Sequence, residues 1–282
     1  MKVISDIASL REVVSDCKRT GRSVGFVPTM GNLHDGHLQL VKRAKSHNDV
    51  VIVSIFVNPM QFGENEDLDA YPRTIEEDKA KLVNDGVDAV FLPSVSDMYP
   101  CGLKAQTYVE VPGISDVLCG ASRPGHFRGV ATVVSKLFNM VQPDDAFFGE
   151  KDFQQLQVIR TMVRDLSMSV NVHGVATQRE ASGLAMSSRN GYLSHEQKAT
   201  ASFIYQEMTR AKALIEQGNA QFSDIADSIV SNLEAKGFKN DYVSIVNADT
   251  LQRPVAGDKH LVIVVALFMG TTRLIDNLQV AL

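Results

Sequence analysis

What the chain lacks narrows its class first. No stretch reaches the ~18 consecutive apolar residues that a membrane-spanning helix needs. Val50 to Val57 is apolar but short, and its length suits a buried strand. The opening Met1-Lys2-Val3-Ile4-Ser5-Asp6 is broken by charge and has no signal-peptide core, so the expected location is the cytoplasm, with no membrane partner. Cysteine is scarce: Cys17, Cys101 and Cys119 are odd in number and widely spaced. They exclude a disulfide frame and offer no CxxC metal or redox site. Positive charge is not in excess either. Lys and Arg number 28 against 33 Asp and Glu, giving a net charge of −5 and a pI near 5.8. A nucleic-acid partner is not expected from that balance.

The 282 residues, 44% hydrophobic and 22% charged, match an ordinary globular protein of one large or two smaller domains. They are organised around Phe26-Val27-Pro28-Thr29-Met30-Gly31-Asn32-Leu33-His34-Asp35-Gly36-His37. An apolar strand at 24–27 feeds a Pro/Gly turn, which opens into a helix at 37–47. Free N–H groups and the helix dipole at such a turn form an anion site. His34 and His37 are three apart and share a face of the first helical turn. Their spacing matches neither a zinc protease helix nor a Cys/His cluster. Two imidazoles at a phosphate-sized hollow suggest a nucleoside triphosphate site.

Helical periodicity marks residues 7–20, 73–85, 130–141 and 156–166, with Leu156, Ile159, Val163 and Leu166 as the buried face of the last. Strands are expected at 50–57, 87–92, 146–148 and 170–175. This alternation predicts a parallel α/β sheet, Rossmann-like and flanked by helices, with ligands at the carboxyl ends of its strands. That rule singles out Asn58 and Gln61 after one strand and Gly149-Glu150-Lys151-Asp152 after another, with Gln155 a turn further on. Residues 94–125 read as a long irregular segment with a candidate strand at 108–111. Arg123, His126 and Arg128 at the next helix start are candidates for steering anions. Ser187-Ser188-Arg189-Asn190 has the composition of a phosphate clip. Beyond Gly191 the pattern becomes α+β. One helix over 194–217 with a Ser194/Gln197 capping box, another over 222–236, and strands at 242–246, 261–267 and 273–276 are expected. The domain reading is therefore 1–180, Rossmann-like, and 181–282, smaller and α+β.

Five segments together resemble the pantoate–β-alanine ligase family of the nucleotidylyl-transferase superfamily. They are Pro28 to His37, Phe56-Val57-Asn58-Pro59-Met60-Gln61-Phe62, Tyr71-Pro72-Arg73-Thr74, Phe148-Gly149-Glu150-Lys151-Asp152 and Gly183 to Asn190. The resemblance implies ATP, (R)-pantoate and β-alanine as substrates and a pantoyl-adenylate intermediate, with AMP and pyrophosphate released. It implies Mg²⁺ carried on ATP, with its protein ligands unknown, and a homodimer. ATP would be bound by Met30, Gly31, Asn32, Leu33, His34, Asp35, Gly36 and His37, by Gly149, Glu150, Lys151 and Asp152, and by Gln178, Met186, Ser187, Ser188 and Arg189. His37, the acid, with His34 and Lys151 would form the catalytic set. Gln61, Gln155 and Asn58 would hold pantoate, Gln61 also bordering β-alanine. The segment 183–190 would close over the nucleotide.

The chemistry of the residues supports this independently, because adenylation must neutralise a pyrophosphate leaving group, and His34, His37, Lys151 and Arg189 would supply positive field. The chain departs from the family pattern at Gln178, usually a small apolar residue, and at Ser182, usually Asp. Two other readings share the histidine loop: an adenylyltransferase making a dinucleotide-like product, and a non-catalytic nucleotide-binding module.

Overall fold

A computed structural model describes residues 1–64 and 66–282. Its first sheet uses β1 (Lys2–Ile4), β2 (Val24–Thr29), β3 (Val50–Ile55), β4 (Ala89–Phe91), β5 (Asp145–Gly149) and β6 (Asn171–Val175). Their order is β1-β4-β3-β2-β5-β6 and every pairing is parallel. The helices α1 (Ile7–Arg19), α2 (Asp35–Lys45), α3 (Ile75–Asn84), α6 (His126–Val141) and α7 (Phe153–Asp165) connect the strands. Two short turns of helix, α4 (Val95–Met98) and α5 (Cys119–Ser122), lie in the long segment between β4 and α6. One face of the sheet packs Phe26, Ile52 and Phe91 against Leu10, Val134 and Leu137; the other packs Val27, Val53 and Phe147 against Leu40, Val41 and Leu82. Strands covered on both faces must be apolar at every position, which is why the run at 50–55 shows no alternation.

Strand order reverses at β2. From there β3 and β4 run outward on one side, β5 and β6 on the other. The crevice at such a reversal lies outside the carboxyl ends of the two central strands. Here those ends are Thr29, which leads into the histidine loop, and Gly149, which leads into Lys151.

The rest of the chain forms α8 (His195–Ala201), α9 (Phe203–Glu216), α10 (Phe222–Glu234) and an antiparallel meander of β7 (Lys239–Asn247), β8 (His260–Met269) and β9 (Thr272–Ala281). On β8, Leu261, Ile263, Val265 and Leu267 pack on the α9 and α10 side, while Val262 and Val264 pack with Phe153 of α7 on the other.

Several expectations need correction. The three-residue β1 was not anticipated, being too short to show a period. Residues 108–111 form no strand; the Val109 N–H instead donates to Thr132 Oγ1 at 2.9 Å. The helix expected over 194–217 is two, parted at Ser202, whose hydroxyl donates back to Ala199 O at 2.7 Å. A side chain that satisfies a helical carbonyl competes with the backbone and favours such a break. The Ser194/Gln197 capping box is present. Leu166 is 52% exposed, because α7 ends one residue before it.

Candidate active site

The histidine loop is held from behind. Asp78 of α3, fully buried, accepts the N–H groups of Asn32 and Leu33 at 2.8 Å each, and the Thr74 hydroxyl at 3.2 Å. Lys81 donates to Leu33 O at 2.6 Å. These contacts hold Gly31 and Asn32 at φ +84° and +49°, left-handed values that turn the chain from β2 into α2. The helix starts at Asp35, two residues earlier than its periodicity suggested, with His34 as N-cap.

Both imidazoles are oriented by helix-end geometry. His34 Nδ1 accepts the Gly36 N–H at 3.2 Å, and His37 Nδ1 accepts the His34 N–H at 3.3 Å. An acceptor Nδ1 leaves the proton of a neutral ring on Nε2, so each ring presents an N–H donor. The ring centroids are 4.1 Å apart. At Gly36 a Cβ would lie 2.9 Å from the His34 ring, so only glycine leaves the ring in place. Burial, then nearby Lys151, pulls the His34 pKa down to about 4; burial, then His34 and Lys151, pulls that of His37 to about 3. The two rings are therefore neutral at pH 7 before substrate binds.

Lys151 sits in a short helical turn, Glu150–Asp152, that follows β5. Asn277 of β9 fixes this turn by donating to Glu150 O at 2.8 Å and Lys151 O at 2.9 Å. The Lys151 ammonium lies 3.8 Å from Asp152. Asp152 is the N-cap residue of α7, but its side chain makes no capping bond. On the far side, Gln61 ends a single helical turn, Pro59–Gln61, after β3. Asn58 is 1% exposed and fully used: it donates to Gln61 Oε1 (3.2 Å) and Gly129 O (3.1 Å), and accepts from Met60 N and Tyr99 Oη. It orients Gln61, whose amide nitrogen also reaches Met30 Sδ at 3.0 Å. A Cβ at Gly129 would sit 2.5 Å from Met60 O, so glycine there lets α6 lie directly against this turn.

The segment 179–190 folds as a tight loop closed by an Arg179–Ala185 bridge. Arg179 pairs with buried Asp276 at 2.6 Å and lies over the Tyr205 ring. Ser188 Oγ donates to Asn32 O at 3.2 Å, bringing the loop onto the histidine turn. Arg189 is held by Asp67 through two bonds of 2.7 and 3.0 Å. For Asp67, burial raises the carboxyl pKa, but Arg189 outweighs it and the net shift is downward. Arg123 is likewise closed on Glu66, and His126 Nδ1 donates to Gln61 O at 2.8 Å. Arg128 leaves the site altogether, pairing with Glu110 and stacking on Tyr108.

A cavity of about 950 Å³ joins these elements. Its wall contains Met30, His34, Gly36, His37, Asn58, Gln61, Gly149, Lys151, Asp152, Gln155, Gln178 and Met186 to Arg189, with an apolar side from Val130, Val133, Val134 and Leu137. Of the residues singled out for ATP, five stand off that wall. Gly31, Asn32 and Leu33 shape the turn, Asp35 is exposed on α2, and the Glu150 side chain accepts from Gln279. The expected field of four cations also needs correction: the imidazoles are neutral donors and Arg189 is already paired. Sequence reasoning overlooked Asp67, Asp78, Gly129, Asp276 and Asn277. Among the described residues no group of three His, Cys, Asp or Glu side chains is arranged to hold a metal ion, and no helix is long and apolar enough to cross a membrane.

Comparison with known proteins gives a consistent result. The pantoate–β-alanine ligase family model matches residues 2–279. A pantothenate synthetase of Alteromonas mediterranea is 75% identical over 280 residues, covering 99% of each chain. One of Shewanella halifaxensis is 59% identical, covering 100% of this chain and 99% of that one. Among solved structures, the enzyme from Thermus thermophilus superposes with TM-score 0.92 at 46% identity over 99% of both chains. The Francisella tularensis ligase, solved with β-γ ATP and β-alanine, gives 0.81 at 35% identity over 99% of this chain and 97% of that one.

Proposed function

We propose, since the chain belongs to the pantoate–β-alanine ligase family, a division of labour within its cavity for joining pantoate to β-alanine at the expense of ATP. The ATP phosphates sit at the N-terminus of α2, against Lys151 and the Nε2–H donors of His34 and His37. Met186 to Arg189 and Gln178 border the nucleotide. Pantoate occupies the Gln61 and Gln155 side, its branched carbon against the valines of α6. Its carboxylate oxygen attacks the α-phosphorus, forming pantoyl adenylate and expelling pyrophosphate. The β-alanine amine then attacks the acyl carbon, and AMP leaves with the electron pair of the cleaved C–O bond.

Neutral imidazoles suit this chemistry. They cost little to hold beside Lys151 when the site is empty, and they gain basicity when a polyphosphate arrives, so His37 can meet the leaving group as a proton-bearing donor. Lys151 supplies a fixed charge where phosphate charge accumulates. Mg²⁺ would be carried in on ATP and would offset phosphate charge there, beside Lys151. Further parts of the reading are a homodimer, a cytoplasmic location, and a division into units at 1–180 and 181–282, which matches the two sheets.

The observation that carries this reading is the meeting of His34, His37, Lys151, Gln61 and Gln155 on one wall at the carboxyl ends of β2, β3 and β5. Pantoate-dependent exchange of labelled pyrophosphate into ATP tests it. Exchange without β-alanine, and AMP release only with it, is expected. Pyrophosphate exchange indifferent to pantoate would refute it and favour an adenylyltransferase. ATP binding with no exchange at all would favour a mere binding module.

A further inference from the structure

The edge strand β9 pairs only with β8, and two of its neighbouring side chains, Asp276 and Asn277, are buried at 6% exposure each. Adjacent residues of a strand face opposite sides, and here they reach different segments. The Asp276 carboxylate takes Arg179 at 2.6 and 3.0 Å and the Asn277 N–H at 2.8 Å. The same guanidinium donates to Asn277 O at 3.4 Å. The Asn277 amide nitrogen gives its two hydrogens to Glu150 O and Lys151 O, at 2.8 and 2.9 Å. Those carbonyls belong to the peptide groups on either side of the Lys151 Cα. Each peptide group is a rigid plane, so pinning both fixes φ and ψ of Lys151 and the direction in which its side chain leaves the backbone. The turn has no side-chain cap of its own, at Gly149 or at Asp152.

We propose that Asn277 is a positioning residue for the known reaction, its amide setting the direction of the Lys151 ammonium from 126 residues away in sequence. The inference rests on the reading above that Lys151 meets the phosphates. A lysine is a compact charge on a flexible four-carbon stem. It serves the transition state best when its place is set before the reaction, since a preorganised charge costs no reorganisation. The ammonium's own contact with Asp152, at 3.8 Å, is too long for a hydrogen bond and does not fix it. Direction therefore comes from the backbone of the turn, and Asn277 is what holds that backbone. The chemistry asks for an amide: Asn offers two donors on one nitrogen, Ser offers one, and ionised Asp none. Lys151 is on the wall of the large cavity and Asn277 is not, so Asn277 acts through the lysine rather than on substrate. Asp276 and Arg179 hold the Asn277 backbone in turn. The smaller α+β part of the chain thus aims a charge carried by the larger sheet.

Asn277→Ala is expected to lower the kcat of pantoate-dependent pyrophosphate exchange about tenfold or more, since misplacing a group by about 1 Å can cost ~100-fold. The KM for pantoate should stay within about twofold, because pantoate does not meet Lys151 in this reading. Asn277→Ser, which keeps one donor, should recover part of the loss, and Asn277→Asp, of the same size but without a donor, should not. Combined with Lys151→Ala, Asn277→Ala should add no further loss, because no ammonium is left to direct. Unchanged kcat in Asn277→Ala would overturn the proposal. So would losses that multiply in the double variant, or a pantoate KM that rises as kcat falls, either of which would make Asn277 a general brace. Should Asn277→Ala fail to fold, the same cycle with the isosteric Asn277→Asp decides. Near-normal exchange in Lys151→Ala alone would instead sink the parent reading, so the two failures are distinct.

Discussion

The helix α2 carries histidines at both ends, and the two ends are chemically unlike. At its start, His34 and His37 accept backbone N–H groups on Nδ1 and turn Nε2–H into the cavity, and burial beside Lys151 keeps them neutral. Past its end, His47 Nδ1 lies 3.0 Å from Arg43 O, and its ring is 5.5 Å from that of His173. His173 stacks on Phe147 and lies 2.6 Å from Asp145. Both pairs bring two imidazoles together. Only the first sits where a strand's carboxyl end meets a helix N-terminus, in a field that attracts anions. Position in the sheet, not residue type, separates a cavity-facing pair from a packed one.

Removing phosphate-facing donors at and beside the first pair should have the largest effect. Lys151→Ala and His37→Ala should each lower pantoate-dependent exchange about a hundredfold or more, equivalent to roughly 3 kcal/mol of transition-state stabilisation. Near-normal exchange in either would erase the distinction between the two ends of α2. Gln61→Ala should raise the KM for pantoate about tenfold while ATP binding holds, the cost of a neutral hydrogen bond lost from a substrate. Unchanged pantoate use would place the acid elsewhere.

A smaller effect sharpens the comparison through pH. The folded-state pKa values of His34 and His37 lie below the ordinary 6.5 that they regain on unfolding. The unfolded chain therefore binds more protons between about pH 3 and 6.5, and stability rises with pH across that window. The contribution is complete above 6.5 and is lost as the pH falls towards 4. Urea unfolding at pH 7.5 and 5.0 should show this loss, and a His34→Asn, His37→Asn variant should show less of it. An identical loss in that variant would assign it to other groups. ATP binding near pH 5.5 should also take up protons, measurable by calorimetry in buffers of different ionisation enthalpy. The smallest effect belongs to the second pair: His47→Gln should leave exchange within about twofold, as befits a surface substitution outside the site. A large loss there would mean that the two ends of α2 are coupled.

Much of the site was legible because turn and strand-end chemistry is local. Pro28 to His37, Gly149 to Asp152 and Ser187 to Arg189 each stand out through neighbours in sequence, and residues from all three line the cavity. The braces were not legible, because they act across the fold. Nothing adjacent to Asp78 shows that it accepts the amides of Asn32 and Leu33, 46 and 45 residues away. The pairing of Asp67 with Arg189 spans 122 residues. Asn58 read as a substrate-facing amide; it lies on the cavity wall, and its bonds to Gln61, Gly129, Met60 and Tyr99 were not legible. Ser202 ended a helix whose apolar period continues through it, since periodicity reports the buried face and not the local hydrogen bond.

By itself the sequence determined the alternating strands and helices, the apolar faces and the identity of the motif groups, since periodicity and turn residues act over a few positions. The tertiary structure decided which groups are charged, which are already paired and which face the hollow. Those properties depend on burial and on partners that only a folded chain brings within a few ångströms.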